Sequence, residues 1–131
     1  FRKVHQFNVF STHTPIQHAL SEYMQTPAHY ESLPNFYQQK RDYFLSLIQD
    51  LPFTFTPSKG SYFQVVDYSA ISDLNDLDFA KKLTIEAGVA TVPVSAFYKN
   101  GSNDKFIRFC FAKKEETLQA AAERLLKYFN A

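Results

Sequence analysis

At Pro52 the spacing of apolar residues changes, and that change limits the folds open to the chain. Before it, Leu33, Phe36, Tyr37, Phe44, Leu47, Ile48 and Leu51 recur at three- and four-residue steps, with Gln38, Gln39, Lys40, Arg41 and Asp42 interleaved. That is the stripe of a long amphipathic helix over residues 30–51, about 30 Å long at ~1.5 Å per residue. Pro34 is expected to open its regular part or kink it, because proline lacks a backbone donor and crowds the preceding turn. After Pro52 the period is two. Phe53-Thr54-Phe55-Thr56, the turn Pro57-Ser58-Lys59-Gly60 and the β-rich residues 61–68 spell a hairpin. Asn75 or Asp76 is placed to cap a helix through Phe79, Ala80, Leu83 and Ala87, which Gly88 would end in the left-handed conformation. Residues 89–94 read as a strand whose Pro93 belongs at an edge, an end or a bulge. A strand over residues 105–112 and a helix from about 115 to 129 follow, the helix with Leu118, Ala121, Ala122, Leu125 and Phe129 on its apolar face. Residues 52–131 thus read β-β-α-β-β-α, an α+β layer of sheet and helices.

Upstream, Thr14 as N-cap and Pro15 at the first helical position start a helix whose face is Ile16, Ala19, Leu20 and Tyr23, and Pro27 ends it. At 131 residues, 45% hydrophobic and 17% aromatic, the chain has enough apolar side chains for one ordinary core. Its net charge of +1 is dispersed, so neither nucleic acid nor an acidic membrane surface is an expected partner. It carries no apolar stretch of about 18–20 residues and no signal-peptide pattern, so neither a membrane span nor secretion is expected. Cys110 is the sole cysteine, which rules out an internal disulfide and makes a cytoplasmic setting the default. The chain opens on Phe1-Arg2-Lys3 and its one methionine is Met24, so it is expected to be a piece of a longer protein.

Arg108 conflicts with its surroundings: it lies inside Lys105-Phe106-Ile107-Arg108-Phe109-Cys110-Phe111-Ala112, otherwise a buried strand. An unpaired interior ion costs several kcal/mol, whereas a guanidinium facing a carboxylate recovers much of that through two parallel hydrogen bonds. Such a strand suits a bound carboxylate. The plainer readings are a solvated face of an edge strand, or pairing with an internal Asp or Glu. Other chemistry is sparse. His5, His13, His18 and His29 lack zinc-ligand spacing, so no metal site is expected. Cys110 shares the strand face of Arg108 but has no histidine placed to form a dyad, and reads as a small core residue. The lysines pattern as solvated, and there is no glycine-rich phosphate loop.

Several segments, in order along the chain, resemble the C-terminal third of fold-type I pyridoxal-phosphate aminotransferases of class I/II, nearest the methionine and kynurenine aminotransferases. They are His5-Gln6-Phe7-Asn8-Val9-Phe10-Ser11, Lys59-Gly60-Ser61-Tyr62-Phe63, Asp67-Tyr68-Ser69, the run Gly88-Val89-Ala90-Thr91-Val92-Pro93-Val94-Ser95-Ala96-Phe97-Tyr98, and Ile107-Arg108-Phe109-Cys110-Phe111-Ala112-Lys113-Lys114. The resemblance implies that residues 1–29 end the cofactor-binding large domain, and that residues 30–131 form the connecting helix and the small C-terminal domain. It implies that Arg108 grips the substrate α-carboxylate, that Phe10 walls the pocket of a neighbouring subunit in a homodimer, and that Tyr62 and Phe97 line the pocket. Amino acid and 2-oxo acid substrates, with pyridoxal 5'-phosphate in the whole protein, follow from the same likeness. In that family the Schiff-base lysine, the aspartate at the pyridine nitrogen and most phosphate ligands lie upstream. This segment is therefore expected to hold no catalytic group and to be inactive alone, and which of its residues, if any, touch the cofactor is left open. Two alternatives stay open: a pyridoxal-phosphate C–S β-lyase, and a non-catalytic binding domain of the same fold.

Overall fold

The computed structural model describes residues 1–9, 11–101 and 104–130. It divides into two compact units, Phe1–Asn35 and Phe36–Ala131. The first unit holds helices α1 (Arg2–Asn8), α2 (Thr14–Tyr23) and α3 (Ala28–Glu31), none of which has a buried residue. Helix α2 begins one residue earlier than its hydroxyl cluster suggests. His13 takes the N-cap position, without a side-chain cap bond, and Thr14 and Pro15 are already helical.

Helix α4 (Leu33–Ile48) has 16 residues, about 24 Å, which is shorter than its apolar stripe. Pro34 sits at its start, where a missing N–H costs nothing. Within the second unit come strand β1 (Phe63–Asp67), helix α5 (Asp76–Lys82) with a π-helical turn (Leu83–Ala87), strand β2 (Val92–Pro93) and a 3-10 turn (Val94–Phe97). Strand β3 (Phe106–Cys110) and helix α6 (Glu115–Phe129) complete it. The three strands form an antiparallel sheet in the order β1-β3-β2. Val66, Ile107 and Phe109 point from one sheet face into a core shared with Phe44 and Ile48 of α4, Phe79 of α5, and Leu118 and Leu125 of α6.

The expected hairpin survives at one point. Thr54 and Asp67 form an isolated antiparallel bridge, and residues 53–56 make no strand. Pro57 has no donor to extend the ladder, and the buried Gln64 side chain replaces it. Its Nε2 donates to the carbonyls of Thr56 at 2.9 Å and Val65 at 2.7 Å, and its Oε1 accepts from the Ser58 N–H at 3.1 Å. Strand β2 is also shorter than the expected 89–94, because the Gly88 N–H closes the π turn on Leu83 O and the Val89 N–H turns back to the same carbonyl at 3.3 Å. Pro93 does end this strand, on an edge. Asn75 caps α5 by accepting from the Asp78 N–H at 2.9 Å, and Gly88 follows the π turn at φ 67°. The π turn itself was not foreseen. The Thr84 hydroxyl donates to Ala80 O at 2.8 Å, competing for a carbonyl that a regular α-helix would use.

Candidate functional site

Strand β3 is the middle strand, so Arg108 is not on an edge; its register partners are Val65 of β1 and Val92 of β2. Side chains alternate faces along a strand. With Ile107 and Phe109 committed to the core, Arg108 must leave on the opposite face, and it is half-buried there. Phe63 and Cys110, paired in the same register, share that face, as does the half-exposed Val65.

The guanidinium carbon of Arg108 lies over two rings, 3.7 Å from the centroid of Phe63 and 4.6 Å from that of Phe97. Each such contact stabilises a cation by about 0.5–1 kcal/mol, and more once water is excluded. No ion pair among the described residues involves Arg108, and its Nε is buried without a hydrogen-bond partner. Asp67, the carboxylate on the same face, accepts from the Ser69 N–H at 2.7 Å. The expected alternative of an internal Asp or Glu partner is therefore not met among the described residues. The site is a fixed, ring-backed guanidinium with donors still to spend, which is what a planar carboxylate matches.

Aromatic rings continue outward from it. Tyr62 packs on Phe63 at 4.4 Å, Tyr37 lies 6.1 Å from Tyr62, and Phe36 is 5.2 Å from Tyr37. Tyr62 is thus placed one ring away from Arg108, and Phe97, 61% exposed, directly over it. The ring nearest the guanidinium is Phe63, whereas the resemblance singled out its neighbour Tyr62. Phe10 lies outside the described residues.

The lysines are occupied or exposed. Lys40 donates to Lys113 O at 2.8 Å. Lys105, in the left-handed region at φ 58°, donates to Leu74 O at 2.9 Å and to Asp73 O. The remaining lysines and all the histidines are exposed, and among the described residues no group of His, Cys, Asp and Glu is arranged to hold a metal ion. A cleft of about 510 Å³ lined by Phe44, Val89, Phe109, Cys110, Leu118 and Arg124 does not include Arg108. Cys110 is half-buried at its edge rather than fully in the core.

The family model for aminotransferase class I and II matches residues 1–125. The chain belongs to that family. It is 50% identical to methionine aminotransferase of Escherichia coli over 95% of its length and 32% of that protein's. It is 32% identical to human kynurenine–oxoglutarate transaminase 1, over 97% of this chain and 35% of that one. An Escherichia coli crystal structure reported to identify a methionine aminotransferase function superposes with a TM-score of 0.88 at 49% identity, covering 96% of this chain and 33% of the other. The chain spans about a third of the length of these relatives.

Within this aminotransferase segment no described lysine is placed to form an imine with pyridoxal phosphate. An imine-forming lysine needs desolvation or a cationic neighbour. The half-buried lysine ammoniums, Lys40 and Lys105, are instead engaged with backbone carbonyls. What the segment does offer is Arg108 and its aromatic surround. No helix among the described residues is long and apolar enough to cross a membrane.

Proposed function

We propose that this chain supplies the substrate-carboxylate grip and part of the side-chain wall of a pyridoxal-phosphate aminotransferase. The whole protein would move an amino group between an amino acid with a large apolar or aromatic side chain, methionine- or kynurenine-like, and a 2-oxo acid. The observation that carries this reading is Arg108 itself, held over Phe63 and Phe97 with its Nε unpartnered. An amino acid and its 2-oxo acid both present a carboxylate of the same shape, so one guanidinium serves both halves of the exchange. The ring series from Phe63 through Tyr62 to Tyr37 favours an apolar substrate side chain over a charged one. The relatives named for methionine and kynurenine support that substrate class.

In this reading the segment is the end of the large domain followed by the small C-terminal domain, and the cofactor and its lysine are held by other parts of a cytoplasmic homodimer. Bound there, pyridoxal phosphate supplies the electron sink, and this chain orients the substrate. The test is Arg108→Ala in the whole protein. Losing one partner of a charge-assisted pair costs about 2–5 kcal/mol, so kcat/KM for amino acid and oxo acid should fall by about 30-fold or more. Lysine at the position should not restore it, because a point charge lacks the planar fork. A kcat/KM within about twofold of the parent would remove Arg108 from the site. Pyruvate release without oxo-acid exchange would redirect the reading to a β-lyase.

A further inference from the structure

Asp76 is buried, 4% exposed, at the first position of α5, and no ion pair among the described residues engages it. A buried carboxylate without donors is costly, so its partners matter. Both its oxygens go to one residue. The Ser95 N–H donates to Oδ2 at 2.6 Å and the Ser95 Oγ–H donates to Oδ1 at 2.7 Å. These are short, charge-assisted bonds, roughly twice as strong as neutral ones.

Ser95 lies in the 3-10 turn Val94–Phe97, and the last residue of that turn is Phe97, whose ring lies 4.6 Å from the Arg108 guanidinium carbon. Phe97 is 61% exposed, so burial does not hold its ring in place. An exposed ring takes its position from the backbone beneath it. That backbone enters through Pro93 at φ −66° and is tied to α5 by the paired bonds from Ser95 to Asp76.

We propose that Asp76 is a positioning residue for the Arg108 site: by holding Ser95 with both carboxylate oxygens it sets Phe97 over the guanidinium, and so governs the grip on the substrate carboxylate. This rests on the reading of Arg108 given above. Phe97 shields one side of the cation from water, and an ionic hydrogen bond strengthens as water is excluded around it. Releasing the turn opens the guanidinium to solvent and weakens its hold on any carboxylate without touching the reacting carbon. The effect belongs in KM for both substrates and not in kcat. The buried charge of Asp76 is felt nearby as well. It adds to burial in pushing the Tyr68 hydroxyl up to about 12.

The decisive readout on this chain does not need activity. With its centroid 4.6 Å from the Arg108 guanidinium carbon, the Phe97 ring should shift the Arg108 Nε–H resonance by its ring current. Asp76→Asn should therefore move the Ser95 amide and the Arg108 Nε–H signals together. Ser95→Ala, which deletes only the 2.7 Å bond, should move the Arg108 signal the same way by less. In a Phe97→Ala background, Asp76→Asn should leave the Arg108 signal where Phe97→Ala alone puts it. An Arg108 signal that ignores Asp76→Asn or Ser95→Ala in a folded chain overturns the proposal, as does an undiminished effect without Phe97. If Asp76→Asn does not fold, Ser95→Ala decides by the same criteria. In the whole protein, Asp76→Asn and Phe97→Ala should each raise both KM values about tenfold, with kcat within about twofold and no further rise in the double variant. Additive rises overturn the path through Phe97. Arg108→Gln separates the two readings: unchanged KM values there sink the carboxylate role, while the resonance cycle still reports whether Asp76 places Phe97.

Discussion

Replacing Arg108 by Met should make the isolated chain more stable while abolishing its use as a carboxylate grip. The buried Nε has no hydrogen-bond partner, and leaving a donor of a charged group in that state costs about 1–3 kcal/mol. Against this, the guanidinium gains about 0.5–1 kcal/mol from each of the rings of Phe63 and Phe97. A Met side chain keeps the contact with both rings, and sulfur against an aromatic edge returns about 0.3–1.5 kcal/mol. Strand pairing with Val65 and Val92 involves backbone only and is unaffected. Together these terms run from a loss of about 0.7 to a gain of about 3.5 kcal/mol, centred on a gain of about 1.4 kcal/mol. Urea denaturation of the parent and Arg108→Met chains, with the midpoint and slope compared, measures it. A loss of more than about 1 kcal/mol at unchanged slope would mean that the arginine is there for the fold, and that its unpartnered donor is not held ready for a ligand.

Gln64→Leu should destabilise the chain by about 2–4 kcal/mol, at ~1 kcal/mol for each of its hydrogen bonds and with Thr56 O and Ser58 N–H left short of partners; a urea midpoint matching the parent's would refute that role. Tyr68 is fully buried, and its hydroxyl is pushed up to about 12, first by burial and then by the charges of Asp76 and Asp67. The folded state therefore favours the neutral phenol, so this contribution is intact below the ordinary tyrosine value and is lost as pH rises through the interval up to about 12. The loss should reach about 2–3 kcal/mol, and Tyr68→Phe should flatten that alkaline limb in denaturation series run on either side of it.

The elements that depend on local pattern were legible in the sequence. Helix α6, the Asn75 cap and the Gly88 stop lie where periodicity and end signals put them. What failed were places where one side chain overrides the backbone pattern. Residues 53–56 alternate as a strand should, yet the Gln64 amide takes the hydrogen bonds that their ladder would have made. The Thr84 hydroxyl acts similarly within a helix. Arg108 stood out because a charge in an apolar run is visible without a partner. Phe63 did not, because choosing between it and the adjacent Tyr62 requires the register, and only the pairing of Phe63 with Cys110 places it on the face of Arg108. The bond from Ser95 to Asp76 joins residues 19 apart in sequence, one at a helix start and one in a turn, and no spacing rule connects them.

That dependence on register also explains why the arginine belongs on the middle strand. Residues of β3 alternate between core and site, with Ile107 and Phe109 in the core and Arg108 between them facing out. A slip of one residue would drive the guanidinium into a core of Ile48, Val66 and Leu125 and expose two large side chains, so the hydrophobic pattern that pairs the sheet also aims the charge. An edge strand would fix it from one side only. In the middle, β1 brings Phe63 through its pairing with β3, while β2 runs into the turn that carries Phe97. The two rings over the cation thus arrive from opposite neighbours of one strand. The rigidity of a buried sheet is passed to a half-exposed group, whose task is to hold a planar anion in one orientation.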